Sequence, residues 1–143
     1  MLLCRVRVPL RPTEDPEKVR ASVTNLFPGA TLRETTFGFE ADVGDLGRLR
    51  ELIRSQRIPD TARGAMLHGL SDDGLSAAFL LGKQAAAVGR AHFGALGGPL
   101  GELDVALEGG EPFEVERAIY WLAPDTTVEK ELSEVPPALR PQA

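Results

Sequence analysis

The chain is poor in the residues on which many enzymes and metal sites depend. Its 143 residues include one cysteine, Cys4, and two histidines, His68 and His92. A single cysteine excludes an intramolecular disulfide, and no Cys or His spacing matches a zinc site. The glycines of "GALGGPLG" lack the strand-to-helix context and the following Lys-Ser/Thr of a phosphate loop. The sequence thus offers no catalytic or metal signature, and we expect a non-enzymatic protein without a cofactor.

Long apolar runs are also missing. No stretch approaches the ~20 residues that a transmembrane helix needs, and "MLLCRVRVPL" lacks the apolar core of a signal peptide. A lone cysteine fits a reducing compartment, so we predict a cytoplasmic protein with no membrane partner. The net charge of −5 argues against broad, non-specific binding of nucleic acids, which usually rests on a basic surface.

Apolar periodicity predicts four strands and five helices in the order β-α-β-α-α-β-α-β-α. The strands are expected at about Leu3–Leu10, Phe37–Val43, Leu75–Leu81 and Leu103–Leu107. This pattern indicates an α+β fold: a mostly antiparallel four-stranded sheet with helices packed on its one apolar face. We expect one domain over residues 1–127. Residues 128–143 are rich in Pro and Glu and are predicted to form a weakly ordered C-terminal tail.

Helix starts are signalled by three aspartates, Asp15, Asp45 and Asp60, each expected to act as an N-cap. A later helix is predicted for the alanine-rich stretch "KQAAAVGRAHF", because alanine is the best helix former. Lys83 and Arg90 are seven residues apart in this stretch, which would place them on one side of the helix. Lys83 would then stand at the helix start, either in solvent or beside a bound phosphate.

The polar face of the predicted sheet carries charges of both signs. It comprises Arg5, Arg7, Glu40, Asp42, Glu102 and Asp104. Phe37, Phe39 and Phe79 fall on the inward positions by parity, so this face lacks the aromatic side chains on which RNA bases stack. It is either a solvated face with cross-strand charge pairs or a face covered by a second subunit.

One region is basic although the whole chain is acidic. Arg48–Arg90 contains seven Lys/Arg and four Asp/Glu, whereas Glu102–Ala143 contains three and ten. Such a sign reversal indicates a place where an anion could dock. Arginine forks suit phosphate oxygens, although a charge stripe can equally be solvated or paired. The candidate RNA-binding residues are Arg50, Arg54, Arg57, Arg63, Lys83 and Arg90.

Tyr120 and Trp121 are adjacent on the last predicted helix, so they cannot both face one core. One of them would lie at the margin, where it could seal a contact with another chain or pack as a core-edge aromatic. We therefore treat this pair as a candidate interface of a homodimer.

Several stretches resemble an archaeal family, uncharacterised protein family 0201. They are "PTEDPEKVRASVTNLFPGA", "RIPDTARGAML", "GKQAAAVGRAHFG", "PLGELDVAL" and "IYWLAPDT". The resemblance covers about Val6 to Thr126, but Gly82 and His92 stand where the family pattern has asparagine. It implies a dimer with a fold like that of the large-subunit ribosomal protein that binds five-S ribosomal RNA. It brings no catalytic residues.

Three hypotheses follow. The first is a non-enzymatic protein that binds structured RNA or a ribonucleoprotein through the basic residues. The second is a homodimeric protein-interaction module without nucleic-acid binding. The third is a small-ligand enzyme that uses Asp60, Arg63 and Lys83 around a phosphorylated metabolite.

Overall fold

The computed structural model describes residues 2–93 and 101–125, which contain five strands and five helices. The strands are β1 (Leu3–Pro9), β2 (Thr31–Glu34), β3 (Gly38–Val43), β4 (Ser76–Gly82) and β5 (Glu102–Glu108). The helices are α1 (Pro16–Leu26), α2 (Gly47–Ser55), α3 (Pro59–His68), α4 (Lys83–Ala87) and α5 (Glu114–Leu122). The predicted α+β class is confirmed. The predicted tail, residues 128–143, lies outside the described residues.

The strands form one antiparallel sheet in the order β2-β3-β1-β5-β4. At its centre, Val6 lies opposite Ala41 on one side and Val105 on the other. These side chains are buried in one core cluster with those of the helices, because the sheet turns a single apolar face inward. Phe39 and Phe79 are also buried, as predicted. A one-residue slip in register would turn this whole set to solvent.

The prediction of four strands is wrong because it missed β2. The four residues of β2, TLRE, are mostly exposed, so they show no apolar alternation. β2 forms as the outer strand of a hairpin with β3, in which Arg33 lies opposite Glu40. The Arg33 guanidinium also donates to Asp42 at 2.9 Å. The side chains of β2 are too exposed for burial to determine its pairing. Charge pairs with β3 accompany the pairing of this edge strand instead.

The other face of the sheet is polar, as predicted. Arg5 lies opposite Asp42, and Arg7 lies between Glu40 and Asp104 on the neighbouring strands. The Nε atom of Arg5 is 3.5 Å from Oδ1 of Asp42. Charges of opposite sign thus alternate across this face.

Phe37 does not point into the core, contrary to the prediction. Its side chain is 40% exposed, and the Arg7 guanidinium lies 4.9 Å from the ring centre. β3 begins only at Gly38, where an added Cβ would lie 2.1 Å from the carbonyl oxygen of Val8. The alternation of the strand therefore does not extend back to Phe37, which belongs to the preceding turn.

One of the three predicted N-caps is confirmed: the Asp15 carboxylate caps α1 and accepts a hydrogen bond from Glu17 N at 3.0 Å. Asp45 is not the N-cap of α2, because that position is Leu46; the Asp45 carboxylate lies one residue earlier and accepts from Gly47 N at 2.8 Å. Asp60 is not a cap, because α3 already begins at Pro59 and places Asp60 inside its first turn. No helix within the described ranges is long and apolar enough to cross a bilayer.

The alanine-rich helix, α4, is shorter than predicted. It stops after five residues, and Gly89 then takes a positive φ of 76°. The chain next runs back along β4, where Phe93 bridges Leu81. Arg90 therefore follows the helix instead of lying on it, and the prediction that it shares a helix side with Lys83 is wrong.

Candidate functional site

A strained turn joins α2 to α3. Ile58 N donates to Ile53 O at 3.1 Å, which closes the end of α2. Between Ile53 and Ile58, Arg57 adopts a left-handed backbone conformation with φ 58°. A side chain in this region costs about 1–2 kcal/mol, which is why glycine usually fills such positions. The fold thus holds an arginine on its surface at a position where glycine would be more stable.

Two cavities open beside this turn. One, of about 610 Å³, lies between α2 and the start of α3. The other, of about 310 Å³, is also lined by the segment after α4. Ile58 and Thr61 line both cavities, so the two cavities adjoin, and we call the pair the α2–α3 groove. Its charged or titratable lining residues are Arg50, Arg54, Arg57, Asp60, Arg90 and His92.

Three arginines of the predicted set give the groove its positive charge. Arg54, Arg57 and Arg90 are exposed, and none of them forms an ion pair with an acid of residues 2–93 or 101–125. Asp60 also lines the groove, but its carboxylate is bound by the guanidinium of Arg63. The positive charge in the groove therefore exceeds the negative charge, and an anionic ligand could reach it.

Arg50 forms part of the groove wall and connects α2 to α5. Its Nε donates to the carbonyl oxygen of Trp121 at 2.9 Å, and its guanidinium lies 4.8 Å from the centre of that indole ring. Burial, followed by the nearby charge of Arg54, lowers the pKa of Arg50. An arginine nevertheless stays charged at neutral pH, so Arg50 contributes both to packing and to the potential in the groove.

Arg63, a fourth predicted residue, does not line the groove. Its side chain is only 13% exposed, and Nη1 donates to Ala123 O at 3.0 Å. Nη2 binds Asp60 and lies 3.8 Å from Oδ2 of Asp125. Its charge is neutralised within the fold, so Arg63 fixes the chain leaving α5 to the start of α3.

Lys83 lies in the interior, neither in solvent nor beside the groove. Its side chain is 4% exposed, and Nζ donates to Pro9 O at 2.7 Å and to Glu14 Oε1 at 3.0 Å. The Glu14 side chain is only 9% exposed. Both expected environments of Lys83 are therefore wrong, because this ammonium group is enclosed and neutralised by a carboxylate from the loop before α1.

The third hypothesis required Asp60, Arg63 and Lys83 to surround one ligand. Asp60 lines the α2–α3 groove, whereas Lys83 lines a separate cavity of about 430 Å³ next to α1. Arg63 lines neither cavity. The three residues therefore do not converge on one cavity.

Gln56 is a residue of this site that sequence reasoning missed. Its Nε2 donates to Ala91 O at 2.8 Å, and its Oε1 accepts from Ala91 N at 2.9 Å. The amide thus pairs with the backbone as a neighbouring strand would. This contact fixes the distance between the turn that carries Arg57 and the segment that carries Arg90. Gln56 and Ala91 are separated by 35 positions in the sequence, so no local pattern could have revealed this contact.

The two aromatics of the candidate interface have different environments. Trp121 is 9% exposed and belongs to the core, whereas Tyr120 is half-buried. Trp121 is therefore unavailable as an anchor for another chain. An interface at this helix would have to use Tyr120, and that role stays a prediction.

Cys4 is a structural thiol. It is 1% exposed, and burial raises its pKa to about 12, so the thiolate that would act as a nucleophile is not formed at neutral pH. Within residues 2–93 and 101–125 no group of three or more His, Cys, Asp or Glu side chains could hold a metal ion.

No family model matches the chain. It is 40% identical to a UPF0201 protein of Methanopyrus kandleri, over 87% of this chain and 86% of that protein. It is 34% identical to a UPF0201 protein of Methanosarcina acetivorans, over 88% and 87% of the two chains.

Solved structures agree with these sequence matches. A crystal structure of a UPF0201 protein superposes with a TM-score of 0.76 at 30% identity, covering 90% of this chain and 98% of that one. The UPF0201 protein from Methanococcus jannaschii gives a TM-score of 0.74 at 30% identity, with coverages of 88% and 95%. The chain therefore belongs to the UPF0201 family.

Proposed function

We propose that this protein binds structured RNA through the phosphate groups of the RNA, and that the α2–α3 groove is the binding surface. The observation that carries the proposal is the position of Arg54, Arg57 and Arg90. Arg54 and Arg57 line one of two adjoining cavities and Arg90 lines the other, and no acid of the described residues neutralises them. The expected likeness to the ribosomal protein that binds five-S RNA stays a prediction and is not used as support.

Guanidinium groups suit this role because their planar forks donate two parallel hydrogen bonds to phosphate oxygens. The floor of the groove is apolar, with Ile53, Ile58 and Pro59, so the arginines stand beside a surface of low polarity. Water screens a charge less at such a surface than in bulk solvent. The open sheet face is a poorer candidate because its arginines lie opposite carboxylates.

The number of free arginines sets the expected salt dependence. Each neutralised phosphate of a duplex contributes about −0.9 to the slope of log K against log salt. The sequence alone suggested six candidate residues for phosphate contacts, from Arg50 to Arg90. Lys83 and Arg63 are neutralised inside the fold, and Arg50 is partly engaged by Trp121. Three contacts remain, so we expect a slope of about −2.7.

A binding measurement with matched variants tests the proposal. A fluorescein-labelled RNA hairpin would be titrated with the wild type and with Arg54→Gln/Arg57→Gln/Arg90→Gln. The control is Arg5→Gln/Arg7→Gln/Arg20→Gln, which loses the same charge on other surfaces. We expect the groove variant to bind at least tenfold more weakly and the control to stay close to wild type. Equal losses in both variants, or no binding by the wild type at low salt, would contradict the proposal.

The proposed role is binding without chemistry. Cys4 and Lys83 are enclosed in the fold, and Asp60, the acid that lines the groove, is ion-paired to Arg63. These residues therefore offer no base and nucleophile pair around the groove of the kind that covalent catalysis needs.

Homodimer formation is a second candidate, and the open face of the sheet favours it. Leu80 and Ala106 lie there between charged side chains, as neighbours of Asp104 and Arg5. Alternating charges with apolar side chains between them can match a second copy of the same face. Sedimentation of the wild type and of Leu80→Glu is the direct test. A wild-type monomer at micromolar concentration would remove this candidate.

A further inference from the structure

The smaller of the two cavities of the α2–α3 groove has an apolar wall and a polar rim. The apolar wall is buried or half-buried and is formed by Ile58, Ala85, Ala91 and Phe93. The remaining lining residues are polar and comprise Gln56, Thr61, Arg90 and His92. The volume of about 310 Å³ lies at the small end of the range of about 300–1,000 Å³ that ligand pockets span. Such a cavity suits a small ring with apolar faces and polar edges.

Contacts with distant parts of the chain hold the segment that forms one side of this cavity. The backbone of Ala91 is paired with the side-chain amide of Gln56. The carbonyl oxygen of His92 accepts from Gly82 N at 2.9 Å, and Phe93 is 6% exposed within the core cluster. The fold itself therefore holds this side of the cavity in place, and a ligand does not have to order it.

Two exposed side chains at the rim can stack on a ring that enters the cavity. Arg90 and His92 are both exposed, and neither side chain forms a hydrogen bond or an ion pair within residues 2–93 or 101–125. A Cβ added at Gly82 would lie 3.5 Å from Cδ2 of His92, so the imidazole packs beside this glycine while the residue stays exposed. Proteins bind unpaired RNA bases by stacking them on imidazole rings and guanidinium planes.

The larger cavity places positive charge next to this one. Arg54 and Arg57 line the larger cavity, and Ile58 and Thr61 line both. The base and the phosphate of a nucleotide are joined through the ribose, so adjoining apolar and basic cavities can each take one of the two parts. A paired base is stacked inside its helix, whereas an unpaired base can turn outward and enter a cavity.

We propose that the smaller cavity binds an unpaired base of the RNA, stacked beside Arg90 and His92, while Arg54 and Arg57 hold adjacent phosphates. This inference rests on the proposed function, because it names the class of RNA that the same groove takes: a stem with a bulged nucleotide. The Thr61 hydroxyl can donate or accept a hydrogen bond, and stacking tolerates every base. The cavity therefore discriminates little between the four bases.

Labelled hairpins that share one stem test the inference on the wild type. The first is fully paired, the second carries a bulged adenosine and the third carries a bulged abasic nucleotide. We expect the adenosine bulge to bind about tenfold more tightly than the other two hairpins. The abasic hairpin keeps the additional phosphate and the interrupted stem, so its difference from the adenosine bulge reports the base alone. Equal binding of the adenosine and abasic bulges would overturn the inference.

A variant that fills the cavity locates the base. Ala85→Leu places a larger side chain in the smaller cavity, whereas Ala87→Leu makes the same change on the same helix but lines the separate cavity next to α1. We expect Ala85→Leu to remove the preference for adenosine over the abasic bulge and to leave binding of the paired hairpin unchanged. Ala87→Leu should keep the preference. The same preference in both variants would contradict the assignment of the base to this cavity.

A second pair of variants does not depend on tolerance of a larger side chain. His92→Ala removes a stacking surface and should reduce the preference for the adenosine bulge about threefold. His68→Ala is the control, because His68 is also exposed but lines neither cavity of the groove. An unchanged preference in His92→Ala would overturn the stacking contact.

The base cavity and RNA binding can be distinguished by the way they fail. If the wild type binds all three hairpins equally and Arg54→Gln/Arg57→Gln/Arg90→Gln weakens them all, phosphate binding stands and the base cavity falls. If the wild type binds none of the hairpins at low salt, both proposals fall.

Discussion

At the residue scale, Arg57 combines a strained backbone conformation, which lowers stability, with a position at the groove. Its left-handed backbone would suit glycine better, yet the arginine lies at the edge of the groove with no acidic partner in the described residues. Strained non-glycine residues often occur at functional sites. The strain at Arg57 is therefore consistent with a role in binding.

Substitution of Arg57 by glycine should separate stability from binding. Arg57→Gly removes the strain of the Cβ and should raise the free energy of unfolding by about 1 kcal/mol. It should also weaken binding of the labelled RNA hairpin several-fold, because one phosphate contact is lost. Urea unfolding and the hairpin titration measure the two effects. A variant that is less stable than the wild type would show that Arg57 has packing contacts that outweigh its strain.

Lys83 and Glu14 form an enclosed ion pair. Lys83→Met leaves a buried carboxylate without its cation, which should cost about 3–5 kcal/mol of stability. Replacing both residues, as Lys83→Met/Glu14→Leu, should recover most of this loss, because two apolar side chains pack without a desolvation penalty. Urea unfolding of the wild type, both single variants and the double variant gives the coupling energy. Additive losses would mean that the two groups do not interact.

The Cys4 thiol makes stability depend on alkaline pH. Burial raises its pKa from 9.0 to about 12, so the folded state keeps a proton that the unfolded chain releases above pH 9. The stabilising contribution is complete below that pH and is lost as the pH rises toward 12, by at most about 1.4 kcal/mol per pH unit. The free energy of unfolding, measured at pH 8 and pH 10, should fall more for the wild type than for Cys4→Ala. An equal fall in both proteins would contradict the assignment.

At the scale of elements, the two edges of the sheet differ. β2 ends the sheet with an exposed, charged strand, whereas β4 is covered by short pairings from the segments around Leu70 and Phe93. This cover depends on Gly69, whose carbonyl accepts from Ala78 N at 3.1 Å. An added Cβ at Gly69 would lie 1.7 Å from the oxygen of Ala78. A larger residue there would therefore open this edge.

Two glycine substitutions in and just beyond α3 test this cover. Gly69→Ala should lower the free energy of unfolding by about 2–3 kcal/mol, because backbone atoms have to move apart. Gly64→Ala is the matched control, since nothing lies within 4 Å of its added Cβ. Alanine is the better helix former, so this control should gain about 1 kcal/mol. Thermal unfolding distinguishes them, and similar melting temperatures would contradict the close approach at Gly69.

The elements predicted correctly from the sequence include those whose apolar side chains alternate between the core and solvent. β1 and β5 alternate between core and solvent, and α1 starts at an aspartate cap. β2 could not be predicted from periodicity, because cross-strand charges rather than burial accompany its pairing. The length of α4 was overestimated because alanine content favoured a helix, while the pairing of Phe93 with Leu81 extended the sheet instead.

Only part of the candidate site was predictable, because some of its contacts join residues that are far apart in the sequence. Arg50, Arg54 and Arg57 are close together in the sequence. Their proximity in space could therefore be predicted from sequence spacing alone. The partner of Lys83 lies 69 residues away, and no local pattern connects them. Arg90 reaches the groove only because Gln56 binds Ala91, which again is a contact between distant parts of the chain.

At the scale of the whole molecule, the charge distribution decides what the protein can bind. The net charge is −5, and the open face of the sheet pairs its arginines with acids. The α2–α3 groove departs from this balance, because Arg54, Arg57 and Arg90 have no acidic partner among the described residues. The local excess of positive charge in the groove, rather than the net charge of the protein, is the basis of the proposed RNA binding.

The salt dependence of RNA binding tests this claim most directly. Dissociation constants of the labelled RNA hairpin would be measured from 50 to 200 mM salt for the wild type and for Arg54→Gln/Arg57→Gln/Arg90→Gln. We predict a slope of log K against log salt of about −2.7 for the wild type and close to zero for the variant. The same slope in both proteins would contradict the groove as the binding surface.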